Sequence, residues 1–328
     1  MYDCLISGTG AYVPERLLTN FDLEKMVETS DEWIVQRTGI RERRIADPSQ
    51  ATSDLAIKAA HAAMNSAGLT PRDIEAVIVC TISPDTYMPA CAVYVARGLG
   101  MTHTPAFDLS AACTGFIYGV TVGSALVRAG NYRHILVIGA ESLSRLTDYE
   151  DRNTCILFGD AAGAAVLTRT ELGGPSRIVD SYLCADGNGA SLIELPAGGS
   201  RVPTSRATVE ARQHFLKMQG REVFKFATKS LIELIETVLE RNKLRPEDLD
   251  LIVPHQVNYR IIEAALKKIP IPMERFFLNL EQYGNTSAAS VPLGLAEAVE
   301  QNRVKRGDNV LLVAFGAGLT WGYNFLKW

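Results

Sequence analysis

The apolar positions along the chain switch between two periods. From Ser53 to Ala67, Leu55, Ala59, Ala62, Ala63 and Ala67 recur near helical spacing, which predicts an amphipathic helix. Thr52 or Ser53 is placed to cap its start and Gly68 to end it. A short, uniformly apolar run, Ala76–Cys80, follows and predicts a strand buried on both faces. The same order recurs later. Phe224 to Asn242 carries Leu231, Leu234, Ile235, Val238 and Leu239 on one side, and the apolar run Leu251–Pro254 follows. Short buried strands alternating with amphipathic helices predict α/β layers.

The recurrence has a fixed offset. LTPRDIEAVIV (69–79) and LRPEDLDLIV (244–253) share Leu, Pro, Asp, an aliphatic and an acid in register, and stand 175 residues apart. RHILVIGA, from Arg133, aligns with DNVLLVAFGAG so that His134 falls on Asn309, again 175 residues apart. Two apolar strands can match once by chance. Two matches at one offset predict an internal duplication of a whole unit. The expected halves are 1–170 and 171–328, with charge-poor helices at 109–127 and 286–299 buried between two sheets. Leu109 to Val127 has no charged residue and is long enough to span a bilayer. Its wealth of Gly, Ala, Ser and Thr, and its bracketing by Asp108 and Arg128, favour a helix inside a soluble core. The Gly-, Pro- and Ser-rich stretch at about 185–220 reads as a loop, either a lid or substrate wall or a surface insertion.

Composition narrows the function. The chain has 328 residues, 47% hydrophobic and 21% charged, with a formal net charge of −4. A nucleic-acid partner asks for a basic surface and is not expected. The six cysteines form no CxxC pair, and no Cys/His cluster has zinc-ligand spacing, so no metal is expected. Scattered cysteines in a chain of this size suit a reduced, cytoplasmic protein. The start, MYDCLISGTG, lacks the basic and apolar regions of a secretion signal.

Three residues stand where chemistry is expected. Cys113, in FDLSAACTGFIYGV, lies between a short strand, Pro105–Leu109, and a helix. A helix N-terminus favours a thiolate and lowers its pKa, and its free N–H groups can hold an oxyanion. His255 follows the strand LDLIVP, at the carboxyl end where α/β sheets place ligands. Asn285, after Gly284 and before a charge-poor helix, falls near the point in the second half that parallels Cys113. Taken singly, each also has a plain reading: a packing cysteine, a structural histidine, an Asn N-cap. Gly316, Ala317 and Gly318 directly follow a strand and would let backbone N–H groups approach a ligand. No GxGxxG or GxxxxGK[ST] loop is present, which counts against a nucleotide enzyme.

Taken together the motifs resemble those of β-ketoacyl-[acyl-carrier-protein] synthase III, the initiating condensing enzyme of bacterial type II fatty acid synthesis. The matching segments run almost end to end: TSDEWIVQRTGIRERR (29–44), FDLSAACTGF (107–116), FGDAAGAAV (158–166), LPAGGSR (195–201), PHQVNYRI (254–261), YGNTSAAS (283–290) and AFGAGLTWG (314–322). The resemblance implies the thiolase fold, an internally duplicated five-layer αβαβα sandwich. It implies an acyl-CoA primer, most simply acetyl-CoA, that acylates Cys113. His255 and Asn285 would then hold the thioester carbonyl of malonyl-carrier protein during decarboxylation. Backbone N–H groups of Cys113 and Ala317 would form the acyl oxyanion hole; some relatives have Gly at that position, and a backbone contact survives the change. Thr29, Trp33, Arg37, Arg152, Phe158, Asn258 and Phe315 would line the CoA and pantetheine route, with Trp33 and Arg152 sandwiching adenine and Arg37 meeting phosphate. Arg260, Lys267 and Lys268 would dock an acidic carrier protein. Met88 would reach the partner subunit's acyl pocket in a homodimer. No cofactor beyond the CoA and phosphopantetheine thioesters is implied.

Related condensing enzymes fit less well. Elongating synthases use Cys-His-His, which Asn285 in its GNTS context opposes. Thiolases need a second cysteine near the C-terminus, and none follows Cys184. The nearest rival is a secondary-metabolite relative that passes the acyl group to another acceptor.

Overall fold

The computed structural model describes residues 2–328. Two sheets stand face to face. The first contains β1 (Asp3–Tyr12), β2 (Ala76–Cys80), β3 (Ala106–Leu109), β4 (His134–Ser142) and β5 (Asp160–Thr170), in the spatial order β1-β5-β4-β2-β3. β5 is antiparallel to β1 and β4, while β2 is parallel to β4 and β3. The second contains β6 (Arg177–Ala185), β7 (Leu251–Pro254), β8 (Asn309–Gly316) and β9 (Thr320–Lys327), in the order β6-β9-β8-β7. β9 is antiparallel to β6 and β8, and β7 is parallel to β8. The order and directions repeat those of the first sheet, and a bridge from Ile252 to Phe276 stands where β2 pairs with β3. The offset read from the sequence is therefore a repeat of structure.

Six helices matter for the site: α1 (Asp31–Thr38), α2 (Thr52–Ser66), α3 (Gly115–Arg128), α4 (Gly220–Asn242), α5 (Tyr259–Leu266) and α6 (Ser290–Glu300). Strand periodicity sorts their contacts. Ile78 and Cys80 of β2 face Phe116, Ile117 and Val120 of α3 and Val291 and Leu295 of α6. Val77 and Val79, between them, face Leu55, Ala59 and Ala63 of α2. In β8, Leu312 and Ala314 enter the same central core, while Leu311 and Val313 meet Leu231, Leu234 and Ile235 of α4. The layers are α2, sheet, α3 with α6, sheet, and α4 with α5. Burial on both faces explains why these strands carry uniform apolar runs rather than alternation.

Several boundaries differ from the sequence reading. The helices expected from 109 and 286 begin at Gly115 and Ser290. Each is preceded by a tight turn of 3-10 helix, Ala112–Thr114 and Ser287–Ala289. Both turns are entered by a residue at φ +48°, Ala112 and Ser287, again 175 residues apart. Apolar composition alone does not reveal such a turn, because Ala, Ser and Thr fit both conformations. Neither Thr52 nor Ser53 caps α2. Ala51 is the N-cap, and its N–H donates to the Asp54 carboxylate at 2.8 Å. The two hydroxyls instead bind across the fold, Thr52 to the Ser83 carbonyl and Ser53 to Asp85. Gly68 ends the helix at φ +67°. The 185–220 stretch contains a 3-10 turn at Gly187–Leu192, a two-residue ladder of Ile193–Glu194 with Lys217–Met218, and a short helix at Arg206–Glu210. Among the described residues, no helix is long and apolar enough to cross a membrane.

Candidate active site

The chain leaves β3 in the turn through Ala112 and delivers Cys113 to the start of α3. The end of β8 packs directly against it. A Cβ on Gly316 would lie 2.9 Å from the Cys113 Cβ and 3.0 Å from its backbone N, so only glycine permits this approach. The Thr320 hydroxyl fixes the following loop, lying 3.2 Å from the Ala111 carbonyl, 3.0 Å from the Ala317 carbonyl and 2.9 Å from the Thr114 hydroxyl. The N–H groups of Cys113 and Ala317 both favour negative charge on the Cys113 sulfur, as does the Ser287 hydroxyl. They do not produce the depressed thiol expected at a helix start. Burial outweighs them and pushes the Cys113 thiol up to about 12.

His255 extends the β7–β8 ladder by one residue, its N–H donating to the Val313 carbonyl at 2.7 Å. The ring lies edge-on to Phe315, with centroids 5.6 Å apart. It is 1% exposed, and neither ring nitrogen has a protein partner. Burial pushes its pKa down to about 3, so the imidazole is neutral near pH 7. A neutral imidazole carries one N–H, free here to donate into the site.

Asn285 is clamped through its backbone. Its N–H donates to the Leu157 carbonyl at 2.8 Å, and its carbonyl accepts from the Gly159 N–H at 3.0 Å. Gly284, at φ +63°, makes the clamp possible, since a Cβ there would sit 2.6 Å from the Leu157 oxygen. Asn285 Oδ1 accepts the Ser287 N–H at 2.8 Å. The amide therefore caps the turn with its oxygen and has Nδ2 left to donate elsewhere.

The three side chains line one pocket of about 220 Å³. Ala112, Phe158, Ser287, Phe315, Gly316 and Ala317 complete its reactive end. The remaining lining is largely aliphatic and aromatic, including Leu143, Val223, Phe226, Val257 and Ile261. The 185–220 stretch supplies one wall through Ile193, Glu194, Leu195, Leu216 and Met218. Such a channel suits a slender apolar chain with one polar reacting end.

The other sequence candidates group at the surface. Trp33 on α1 has the guanidinium of Arg37 at 5.1 Å and that of Arg152 at 5.0 Å from its ring centre. Asn258 caps α5 and donates to the Arg37 carbonyl at 2.9 Å, tying α1 to the helix whose start supplies Val257 and Ile261 to the pocket. The Thr29 hydroxyl is buried without a partner. Arg260, Lys267 and Lys268 are exposed on or just beyond α5, together with the acidic Glu263. Met88 is 87% exposed and does not line the pocket. No group of three or more His, Cys, Asp or Glu side chains among the described residues is placed to hold a metal ion.

Sequence reasoning missed two residues at the reactive end. Glu141, at the close of β4, is fully buried. It accepts from the Thr81 hydroxyl at 3.1 Å, the Ile82 N–H at 3.1 Å and the Ser83 hydroxyl at 2.6 Å. A lone acid closing the apolar run HILVIGAES was the available signal. Ser287 is 1% exposed; its signal was alignment with Ala112 at the repeat offset.

Comparison with known proteins agrees with this architecture. Residues 107–187 match the family model described as 3-oxoacyl-[acyl-carrier-protein (ACP)] synthase III, and residues 239–328 match the model of its C-terminal part. The chain is 54% identical to the β-ketoacyl-[acyl-carrier-protein] synthase III of Caldanaerobacter subterraneus subsp. tengcongensis, covering 98% of this chain and 97% of that one. It is 50% identical to the enzyme of the same name from Natranaerobius thermophilus, with both chains fully covered. The crystal structure of 3-oxoacyl-[acyl-carrier-protein] synthase III from Aquifex aeolicus superposes with a TM-score of 0.91 at 43% identity, covering 99% of this chain and 100% of that one. Full-length identity at this level, on the same duplicated thiolase fold, means that the chain belongs to the 3-oxoacyl-[acyl-carrier-protein] synthase III family.

Proposed function

We propose that this protein condenses an acyl-CoA primer, most simply acetyl-CoA, with malonyl-[acyl-carrier protein]. The products are a 3-oxoacyl-[acyl-carrier protein], CoA and CO₂, and the step initiates fatty acid synthesis. The observation that carries this reading is the meeting of Cys113, His255 and Asn285 at one end of an apolar pocket. The identity of 54% and 50% to enzymes named for this activity supports it over transfer to a secondary-metabolite acceptor.

The first step is acyl transfer. The Cys113 sulfur attacks the primer thioester, and the developing oxyanion accepts from the Cys113 and Ala317 N–H groups. The C–S bond to CoA breaks, and CoA leaves. In the second step malonyl-carrier protein takes the same channel. The His255 N–H and Asn285 Nδ2–H donate to its thioester carbonyl oxygen. Loss of CO₂ leaves an enolate whose oxygen these two donors stabilise, and its carbon attacks the acyl-cysteine. Both donors are fixed before the charge appears, because the imidazole is neutral and the Asn285 oxygen is already engaged. The condensation draws on no metal or organic cofactor of the protein's own.

Trp33, Arg37 and Arg152 would receive the CoA nucleotide, with Arg152 moving from the Trp33 face to admit adenine. Thr29, Phe158, Asn258 and Phe315 would follow the pantetheine arm. Arg260, Lys267 and Lys268 would steer the acidic carrier. The working form would be a homodimer, in which the exposed Tyr87 and Met88 reach the partner's acyl pocket. The two thiolase-like halves would divide at about residue 170. Radiolabelled acetyl-CoA should label the wild-type protein and spare Cys113→Ser, and mass spectrometry should find a 3-oxoacyl-carrier protein after malonyl-carrier protein is added. Label retained by Cys113→Ser would remove the nucleophile assignment. Acyl transfer to another acceptor, with no carrier-bound product, would replace the reading with the secondary-metabolite one.

A further inference from the structure

The nucleophile needs a proton acceptor, and neither His255 nor Asn285 is one. His255 is reserved as a donor in the mechanism above, and an amide does not take a proton. Burial also holds the Cys113 thiol in its protonated form. One buried acid stands nearby without a role. Glu141 sits at the end of β4, two residues beyond Gly139, where a Cβ would strike the Ala288 carbonyl at 2.1 Å. The strand is thus pressed against the turn that carries Ser287. The Ser287 hydroxyl is buried and makes no well-aligned hydrogen bond, yet it favours the charged form of both Cys113 and Glu141. The two copies of this turn differ at the corresponding position. Ala112 occupies it in the first copy and Ser287 in the second, both at φ +48°.

We propose that Ser287 and Glu141 form a proton relay for Cys113, in which Ser287 passes the thiol proton to the buried Glu141 carboxylate as the acyl group is loaded. The inference rests on Cys113 being the acylated residue. As the sulfur bonds to the primer carbonyl carbon, the S–H proton moves to Ser287 Oγ and the Ser287 proton moves to a Glu141 oxygen. The S–C bond to CoA then breaks, and the CoA thiolate takes a proton from water. During the acyl-enzyme stage Glu141 is the neutral acid. When the 3-oxo product forms, the Cys113–acyl bond breaks, the sulfur leaves as a thiolate, and the stored proton returns through Ser287. The cycle restores both groups and consumes one proton from solvent, as the overall reaction requires.

Three features suit Glu141 to this task. Burial raises its pKa to about 7, so it titrates near neutrality. An acceptor poised there fits general-base work. The two thiols that feel its charge are Cys113 and Cys80, and Cys80 is fully buried in the central core. The bonds from Thr81, Ile82 and Ser83 hold the carboxylate in place. Those same bonds offer a plain alternative, in which Glu141 only ties the 81–83 turn to β4.

The test is the pH dependence of Cys113 acylation by radiolabelled acetyl-CoA, beside alkylation of the Cys113 peptide by iodoacetamide. In the wild type the acylation rate should rise with pH through about 7. Ser287→Ala should slow acylation about 100-fold and abolish that limb. It should fold, because Ala112 already adopts the same backbone angle. Glu141→Gln should do the same, and its alkylation should lose the same inflection. A slower Ser287→Ala that keeps the wild-type pH profile would make Ser287 a packing residue and sink the relay, as would wild-type rates in Glu141→Gln. If Glu141→Gln does not fold, Ser287→Ala decides alone. Labelling that persists in Cys113→Ser would instead remove the nucleophile on which the relay rests.

Discussion

Gly316→Ala is the sharpest probe of the geometry around Cys113. The added methyl would sit 2.9 Å from the Cys113 Cβ, 3.0 Å from its backbone N and 3.3 Å from its Cα. Ordinary carbon–carbon contact needs about 3.5–4.0 Å, so the end of β8 and the Cys113 turn must part by about 1 Å. Both partners are backbone or Cβ, so no side chain can swing aside. The separation falls on the two N–H groups that define the acyl oxyanion position, one on each side of the new contact. A displacement of about 1 Å at reacting atoms costs on the order of 100-fold in rate, and overpacking costs about 1–3 kcal/mol of stability. Acylation by radiolabelled acetyl-CoA, measured as a single-turnover rate, should therefore fall about 100-fold, with a modest drop in Tm. The fall should lie in the acylation step, whereas decarboxylation of malonyl-carrier protein, which uses His255 and Asn285, should change less. Wild-type acylation with a normal Tm would refute the claim that Gly316 is required for the placement of Cys113. An equal loss in both half-reactions would show a general disturbance instead.

Other perturbations separate the remaining parts. Asn285→Asp keeps the oxygen that accepts the Ser287 N–H but replaces the donor facing the enolate with a second acceptor. Condensation should fall about 100- to 1,000-fold while acylation of Cys113 persists, and parallel losses would contradict the division of labour. Burial lowers the His255 pKa from 6.5 to about 3. The unfolded chain thus binds the proton first, and this stabilising contribution is present above about pH 6.5 and lost as pH falls toward 3. Denaturant midpoints of wild type and His255→Asn should converge over that window, the difference reaching up to about 5 kcal/mol; a pH-independent difference would mean that the ring is not buried neutral. Arg260→Glu with Lys267→Glu and Lys268→Glu should raise KM for malonyl-carrier protein about tenfold at low salt and leave acylation by acetyl-CoA intact. An unchanged KM would move the docking surface elsewhere.

What was legible in the sequence, and what was not, follows from where the information lies. The duplicated layers could be read because burial on both faces demands an apolar run in each central strand, and two such runs kept one offset. Trp33 and Arg37 gained meaning only from the family motif, since an aromatic and a cation on a helix face are ordinary. The tight turns at Ala112 and Ser287 could not be read, because small residues carry no signature of a left-handed angle when glycine is absent. The state of the Cys113 thiol was misjudged for a related reason. A helix start predicts stabilisation of charge, but the opposing desolvation depends on walls contributed by residues as distant as Phe158 and Phe315.

That last balance also explains the form of the site. A thiol held protonated by burial is protected from stray electrophiles, and so the cost of ionising it must be met when substrate arrives. The N–H groups of Cys113 and Ala317 favour charge on the sulfur and stand at the proposed oxyanion position. The enolate step uses different donors, the neutral His255 and the oriented Asn285, because its charge develops on a different oxygen. One apolar pocket can serve both steps because each charge meets donors fixed before it forms. The repeat supplies this arrangement directly: one copy of the turn after the sheet carries the sulfur, and the other carries the amide and the hydroxyl that face it.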